Sequence, residues 1–156
     1  MNNEITLYQR PGLNNHRIEQ QILDITQRMV DRWFSKDVIS DTLVDLKFHD
    51  VICLEREDQL KSFIIFTSYE GSIRISLMGT DPSEHNKGYG SELLKQFFNY
   101  LFINGYKKVE LFTVKPNNNP QYTATIAFYQ KNGFVLEKEY VEIWQGGALK
   151  LVKTLE

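Results

Sequence analysis

Apolar residues recur along this chain at two different spacings, and the switches between them divide it into elements. Residues 5–8 form a short apolar run that Pro11-Gly12 ends, which predicts a strand. Over residues 15–34, Ile18, Ile22, Ile25, Met29 and Trp33 fall on one helical face, so that stripe should face a core. Residues 36–41 follow neither period, and Ser40 or Asp41 is placed to cap a second short helix. After Asp50 the pattern changes to short runs at 51–55, 62–67 and 73–78, separated by polar turns at 57–59 and 70–71, which predicts three antiparallel strands in a meander. Helical spacing returns over residues 88–104 in Leu93, Leu94, Phe97, Phe98, Leu101 and Phe102, and Gly105 is suited to end that helix. Lys108–Val114 reads as a strand, 123–131 as a short helix closed by Asn132-Gly133, and 134–144 with 148–155 as two strands turned at Gly146-Gly147. The order predicts an α/β fold of the α+β type with a mixed sheet, in one domain spanning 1–156.

Composition narrows the partners. A chain of 156 residues with 42% hydrophobic and 24% charged residues suits one soluble domain, and a net charge of −2 argues against nucleic acid and anionic membrane as partners. Cys53 is the single cysteine and sits in an apolar run, so it should be a buried thiol, as fits a reducing cytoplasm. The first residues lack a basic segment followed by an apolar stretch, and nowhere do about 18 uncharged apolar residues run together, so a soluble, unprocessed chain is expected. His16, His49 and His85 are scattered without cysteine partners at ligand spacing, and no metal site is expected.

Chemistry concentrates between the strand ending near Met78 and the helix of the Leu/Phe stripe, in TDPSEHNKGYGS, residues 80–91. A strand, a turn and a helix start are what a phosphate site requires. Gly88 and Gly90 allow the backbone to approach an anion, the first N–H groups of the helix point at it, and Lys87 supplies a counter-charge. A plain glycine-rich helix start fits the same residues. There is no G-x-x-x-x-G-K-[ST] for a nucleotide P-loop and no third glycine for a dinucleotide fingerprint.

His85-Asn86-Lys87-Gly88-Tyr89-Gly90, after Thr80-Asp81-Pro82, resembles the signature of the GNAT (Gcn5-related N-acetyltransferase) family: Arg or Gln, two residues, Gly, one residue, Gly or Ala. A second family feature lies downstream, in Ala127-Phe128-Tyr129-Gln130-Lys131-Asn132-Gly133-Phe134, where a short helix reaches a tyrosine and a Gly–aromatic pair starts a strand. The resemblance covers about residues 73–155. It implies a GNAT fold with about six to seven strands and about four helices, acetyl-CoA as cosubstrate, and N-acetyl transfer to an amine. The acceptor is expected to be a small molecule ahead of a protein lysine or amino terminus. A silent acyl-CoA-binding sensor is the alternative, and a dimer paired through the late strands is permitted.

By the same resemblance two parallel strands, 73–80 and 108–114, splay apart. Met78, Gly79 and Thr80 then meet the pantetheine and acetyl end through backbone atoms, and His85, Asn86, Lys87, Gly88, Tyr89, Gly90 and Ser91 wrap the pyrophosphate. His85 replaces the usual Arg or Gln, Tyr122 stands where an Asn usually contacts the cofactor arm, and Thr125 replaces a common Ala. Asn119, with Asn117 and Asn118, can reach the arm from the preceding loop.

Three catalytic tasks follow from direct attack of an amine on a thioester. Tyr129 is the expected general acid toward the leaving sulfur, or else an aromatic packed beside Phe128. A backbone N–H near residues 78–80 would stabilise the oxyanion. Glu110 is the candidate base, against the reading that it is a solvated strand position beside Lys107 and Lys108. Glu139 and Glu142 either attract a cationic amine or belong to a wet sheet face, and Tyr8, Trp33 and Phe34 either shape the acceptor pocket or pack in the core.

Overall fold

The computed structural model describes residues 2–30, 37–117, 119–141 and 147–156. Strands β1 (Glu4–Tyr8), β2 (Asp50–Arg56), β3 (Gln59–Tyr69), β4 (Ser72–Thr80), β5 (Lys108–Val114), β6 (Val135–Tyr140) and β7 (Ala148–Thr154) form a sheet in the order β1-β2-β3-β4-β5-β7-β6. Neighbours pair antiparallel except β4 and β5, which run parallel. The helices are α1 (Pro11–Asn14), α2 (His16–Met29), α3 (Val38–Asp45), α4 (Tyr89–Ile103) and α5 (Pro120–Lys131). This mixed sheet with flanking helices matches the expected fold class.

The stripe expected over 15–34 begins as expected and is preceded by a separate single turn. Asn15 accepts a hydrogen bond from the Ile18 amide and so caps α2, while Pro11 opens α1, where its missing N–H costs nothing. The remainder of that helix, with Trp33 and Phe34, falls outside the described residues. The second helix starts before the expected caps: Asp37 precedes it, and the Ser40 hydroxyl donates to the Asp37 carbonyl at 3.0 Å from within its first turn.

Each face of the sheet has its own core. Ile18, Ile22, Ile25 and Met29 of α2 pack on Val51, Cys53, Phe63 and Ile65, so the Cys53 thiol is buried as expected. On the other face Leu93, Leu94, Phe97 and Leu101 of α4 pack on Ile64, Phe66, Ile73 and Val109. Phe102 departs from the expected stripe and is 50% exposed, because a helix of this length buries only the arc that the sheet covers.

A bulge interrupts the pairing of β3 with β4. Ile65 pairs with Leu77 and the next residue, Phe66, pairs with Ile75, so Ser76 is left over as an extra residue in β4. An extra residue bends a strand and sharpens its twist. The parallel rungs between β4 and β5 are Ile73–Val109, Arg74–Glu110 and Ile75–Leu111; beyond them the strands run on to Thr80 and Val114 without pairing. A wedge-shaped gap opens from Ser76 onward.

Candidate functional site

That gap is the floor of a cleft of about 1050 Å³. Ser76, Leu77, Met78, Gly79 and Thr80 form one wall and Leu111, Phe112, Thr113 and Val114 the other. The start of α4 and the inner side of α5 close one end, and Met29 of α2 with Val38 and Asp41 of α3 border the cleft as well.

At the α4 end the backbone presents donors. The amides of residues 87–91 reach no protein acceptor among the described residues; the first amide to be taken up is that of Glu92, by the Gly88 carbonyl at 3.0 Å. No side chain caps the helix, since the cap position is Gly88 at φ 81°. Asn86 is also left-handed, at φ 67°. Left-handed residues alternating with ordinary ones turn successive N–H groups to the same side, which makes a concave seat for an anion, and the helix dipole adds positive potential there. Gly90 is needed for close approach instead: a Cβ on it would lie 3.1 Å from the Phe128 ring and 3.4 Å from the Met78 methyl.

Charge pairs pin this loop. Asp81 accepts from the Ser83 amide at 3.0 Å and pairs with Arg28 of α2 at 2.8 Å. Burial pushes the Asp81 carboxyl up, but the hydrogen bonds from Arg28 and Ser83 outweigh that and hold it below its ordinary value. Glu84 bridges Lys61 at 3.1 Å and Lys87 at 2.7 Å. His85 Nε2 lies 2.9 Å from the Thr80 carbonyl, which ties the loop back to the end of β4.

The expected cofactor residues divide accordingly. Met78, Gly79, Thr80, His85, Asn86, Gly88, Tyr89, Gly90, Ser91, Tyr122 and Tyr129 line the cleft. Lys87 does not: its ammonium is engaged by Glu84 at 2.7 Å. Asn119 is also outside the lining, and its side chain accepts from the Gln121 amide as the cap of α5. Asn118 lies outside the described residues.

Tyr129 faces the cleft with its ring edge-on to Phe128 and Phe134, both at 5.5 Å between centroids. The expected packing beside Phe128 is present, and the residue also faces the cleft. Burial pushes its phenol up to about 12, and its hydroxyl has no protein partner among the described residues.

Glu110 fits neither of its readings. It is 8% exposed rather than solvated, and it is absent from the cleft lining. Arg74 meets it at 2.8 Å and Lys150 at 3.2 Å. Burial would raise its carboxyl, but those two cations outweigh burial and keep it below the ordinary glutamate value, which weakens it as a base. Tyr8 lies outside the cleft lining and packs, partly buried, against the core beneath α2, as one of its readings had it; its hydroxyl donates to Glu55 and accepts from Arg17 at 3.2 Å. Glu139 is exposed and pairs with Lys115, and Glu142 lies outside the described residues.

Among the described residues no group of three or more His, Cys, Asp or Glu is placed to hold a metal ion, and no helix is long and apolar enough to cross a membrane. Sequence reading missed the contact of Ser76 with His49, whose Nδ1 lies 3.3 Å from the Ser76 hydroxyl. Nothing local announces it, since the two residues belong to different elements.

Known structures share this architecture. The ribosomal-protein-S18-alanine N-acetyltransferase from Escherichia coli superposes with a TM-score of 0.76 at 17% identity, over 99% of this chain and 95% of that one. An aminoglycoside 6'-N-acetyltransferase complexed with coenzyme A gives 0.74 at 13% identity, over 98% and 97%. The aminoglycoside 6'-N-acetyltransferase from Enterococcus faecium gives 0.73 at 13% identity, with the same coverage of 98% and 97%. At such identities these likenesses establish the fold. No curated protein sequence matches the chain. The acetyltransferase (GNAT) domain model matches residues 47–136, which is more than half of the chain and spans the bulge, the open amides and Tyr129; the chain belongs to the GNAT family of acetyltransferases.

Proposed function

We propose that the chain transfers the acetyl group of acetyl-CoA directly to the amine of a small molecule bound beside it in the same cleft. The observation that carries this reading is the row of unengaged amides at residues 87–91, opening into a gap between two parallel strands. A diphosphate needs several convergent donors, and the seat is too open at Gly88, and too closely backed at Gly90, for a side chain to fill it from within. A cleft of about 1050 Å³ is large enough for a nucleotide-sized cosubstrate with an acceptor.

Acetyl-CoA brings an activated thioester; the rest is done by the chain. The amides of residues 87–91 would hold the diphosphate, and the unpaired edge of β4 beyond Ile75 offers main-chain groups to the pantetheine arm and the acetyl oxygen. Tyr129, kept protonated by burial, would give its proton to the departing sulfur. At the far end Met29, Val38, Leu77 and Phe112 make an apolar surround with the Asp41 carboxylate beside it, which suits an amine carried on a compact body.

The relatives' names leave both acceptor classes open, one being a protein alanine acetylase and two acting on aminoglycosides. The decisive experiment is calorimetric titration with CoA, followed by thiol release from acetyl-CoA with tyramine, spermidine, kanamycin, L-lysine and an alanine-initiated peptide. Binding with release on a small amine is expected. Binding without release on any acceptor would support a sensor instead, and absence of binding would overturn the reading.

A further inference from the structure

We infer that Ser76 and His49 form the proton relay that makes the acceptor amine nucleophilic, an inference that rests on the transferase function proposed for the cleft. Amines are mostly ammonium ions at neutral pH, so the cleft needs a group that accepts a proton before attack. The carboxylates that border it among the described residues are Asp41 and Glu84. Glu84 is held by Lys61 and Lys87 in the anion loop, and Asp41 sits on α3 where the cleft meets solvent. Glu110 is locked between Arg74 and Lys150 outside the cleft.

Ser76 is differently placed. It is the bulged residue, at the point where β4 leaves β5, two residues before Met78 and within the cleft lining. His49 follows α3, with its amide fixed on the Asp45 carbonyl at 2.8 Å, and it reaches the Ser76 hydroxyl through Nδ1 at 3.3 Å. The second ring nitrogen, Nε2, has no protein partner among the described residues. His49 also borders a second hollow, whose other titratable lining residues are Asp50, Tyr100 and Tyr106; Arg74, nearby on β4, is already engaged by Glu110.

With the proton on Nε2, the Ser76 hydroxyl donates to Nδ1. The ammonium proton of the acceptor then moves to the Ser76 oxygen as the Ser76 proton passes to Nδ1, leaving a neutral amine and an imidazolium. The nitrogen–carbon bond forms and the carbon–sulfur bond breaks, with the sulfur taking the Tyr129 proton. The second proton shed by nitrogen restores the Tyr129 phenol, and the imidazolium releases its proton to solvent. One proton leaves per turnover, as the reaction requires. Ser76 touches the acceptor; His49 acts through it as a positioning and proton-holding residue.

Two measurements test this, one without any acceptor. Nitrogen-15 shifts of His49 in the free protein should show the Nε2–H tautomer, with the balance of tautomers changing in Ser76→Ala; an Nδ1–H tautomer in the unmodified protein would overturn the relay. With whichever of the five amines reacts fastest, His49→Gln and Ser76→Ala should each lower kcat by about 100-fold, remove the acid limb of the kcat profile, and leave calorimetric CoA binding unchanged. An unchanged acid limb in His49→Gln, or its loss in Asp41→Asn instead, would sink the proposal. If the unmodified protein binds CoA but acetylates nothing, the transferase reading fails, while the tautomer still decides whether the pair is built as described.

Discussion

The Tyr129 phenol combines two properties a proton donor needs, since burial holds it protonated and no neighbour among the described residues occupies its hydroxyl. Its value near 12 means that the free enzyme keeps this proton through the whole practical pH range. The kcat/KM profile for acetyl-CoA should therefore show no descending limb from Tyr129 up to about pH 10. Tyr129→Phe, which keeps the ring contacts with Phe128 and Phe134, should lower kcat by about 100-fold with the melting temperature and CoA affinity retained. Equal turnover in that variant would remove Tyr129 from the chemistry. Gly88 makes a complementary case. A Cβ there meets nothing within 4 Å among the described residues, so Gly88→Ala tests conformation alone. Its φ of 81° should cost alanine about 1 kcal/mol, read as a lower melting temperature, together with weaker CoA binding. That Tyr129 and the two glycines gather at one cleft was legible in the sequence, because their placement follows from residue type and local spacing. Glu110, Lys87 and Asn119 were not, because partners far along the chain or a competing local cap decide what those side chains do.

At the level of elements, periodicity located the strands and helices well, and it failed where geometry depends on pairing. β5 matched Lys108–Val114 at both ends, and α4 matched to within a residue, because a glycine marks each of its ends. The bulge at Ser76 left no trace in the pattern: Ile75-Ser76-Leu77 reads as an ordinary alternating strand until β3 is laid beside it. The tie between α2 and the anion loop through Arg28 and Asp81 was equally hidden, and it carries a pH prediction. Asp81 is depressed in the folded chain, so its contribution is fully present above its unfolded value of 3.8 and is lost as the pH falls through the lower folded value. Arg28 is 41% exposed, so solvent screening limits the pair to about 1 kcal/mol or less. The gap in melting temperature between the parent protein and Asp81→Asn should be widest near neutral pH and should close in acid. A gap that persists unchanged in acid would show that the ion pair is not its source.

For the whole molecule, the opening between β4 and β5 presents a mechanical problem. The sheet parts beyond Ile75 and Leu111, yet β1 to β4 and the β5, β7, β6 group stay in register as one sheet. Three parallel rungs join the two parts, and α4 covers the join from one face with Phe97 and Leu101 against Ile73 and Val109. On the opposite face the join is crossed by charge. Arg74 of β4 meets Glu110 of β5, Glu110 meets Lys150 of β7, and Lys150 meets Glu137 of β6 at 2.9 Å, so one chain of ion pairs spans four strands. Arg74 also lies over the Phe112 ring, with 5.1 Å to its centroid, where β5 begins to diverge. Glu110 is the buried link, placed where its ion pairs join the strands below the gap. Glu110→Gln keeps the size and one acceptor oxygen but discards the charge that both cations share. Because Arg74 is 48% exposed, the loss is discounted from a fully buried pair to about 1–2 kcal/mol. For a domain of this size that corresponds to a drop of roughly 3–8 °C in melting temperature. Turnover measured well below that transition should stay within about twofold of the parent, since the carboxylate lies outside the cleft. If turnover instead fell by about 100-fold while the melting temperature held, Glu110 would return to the position of catalytic base.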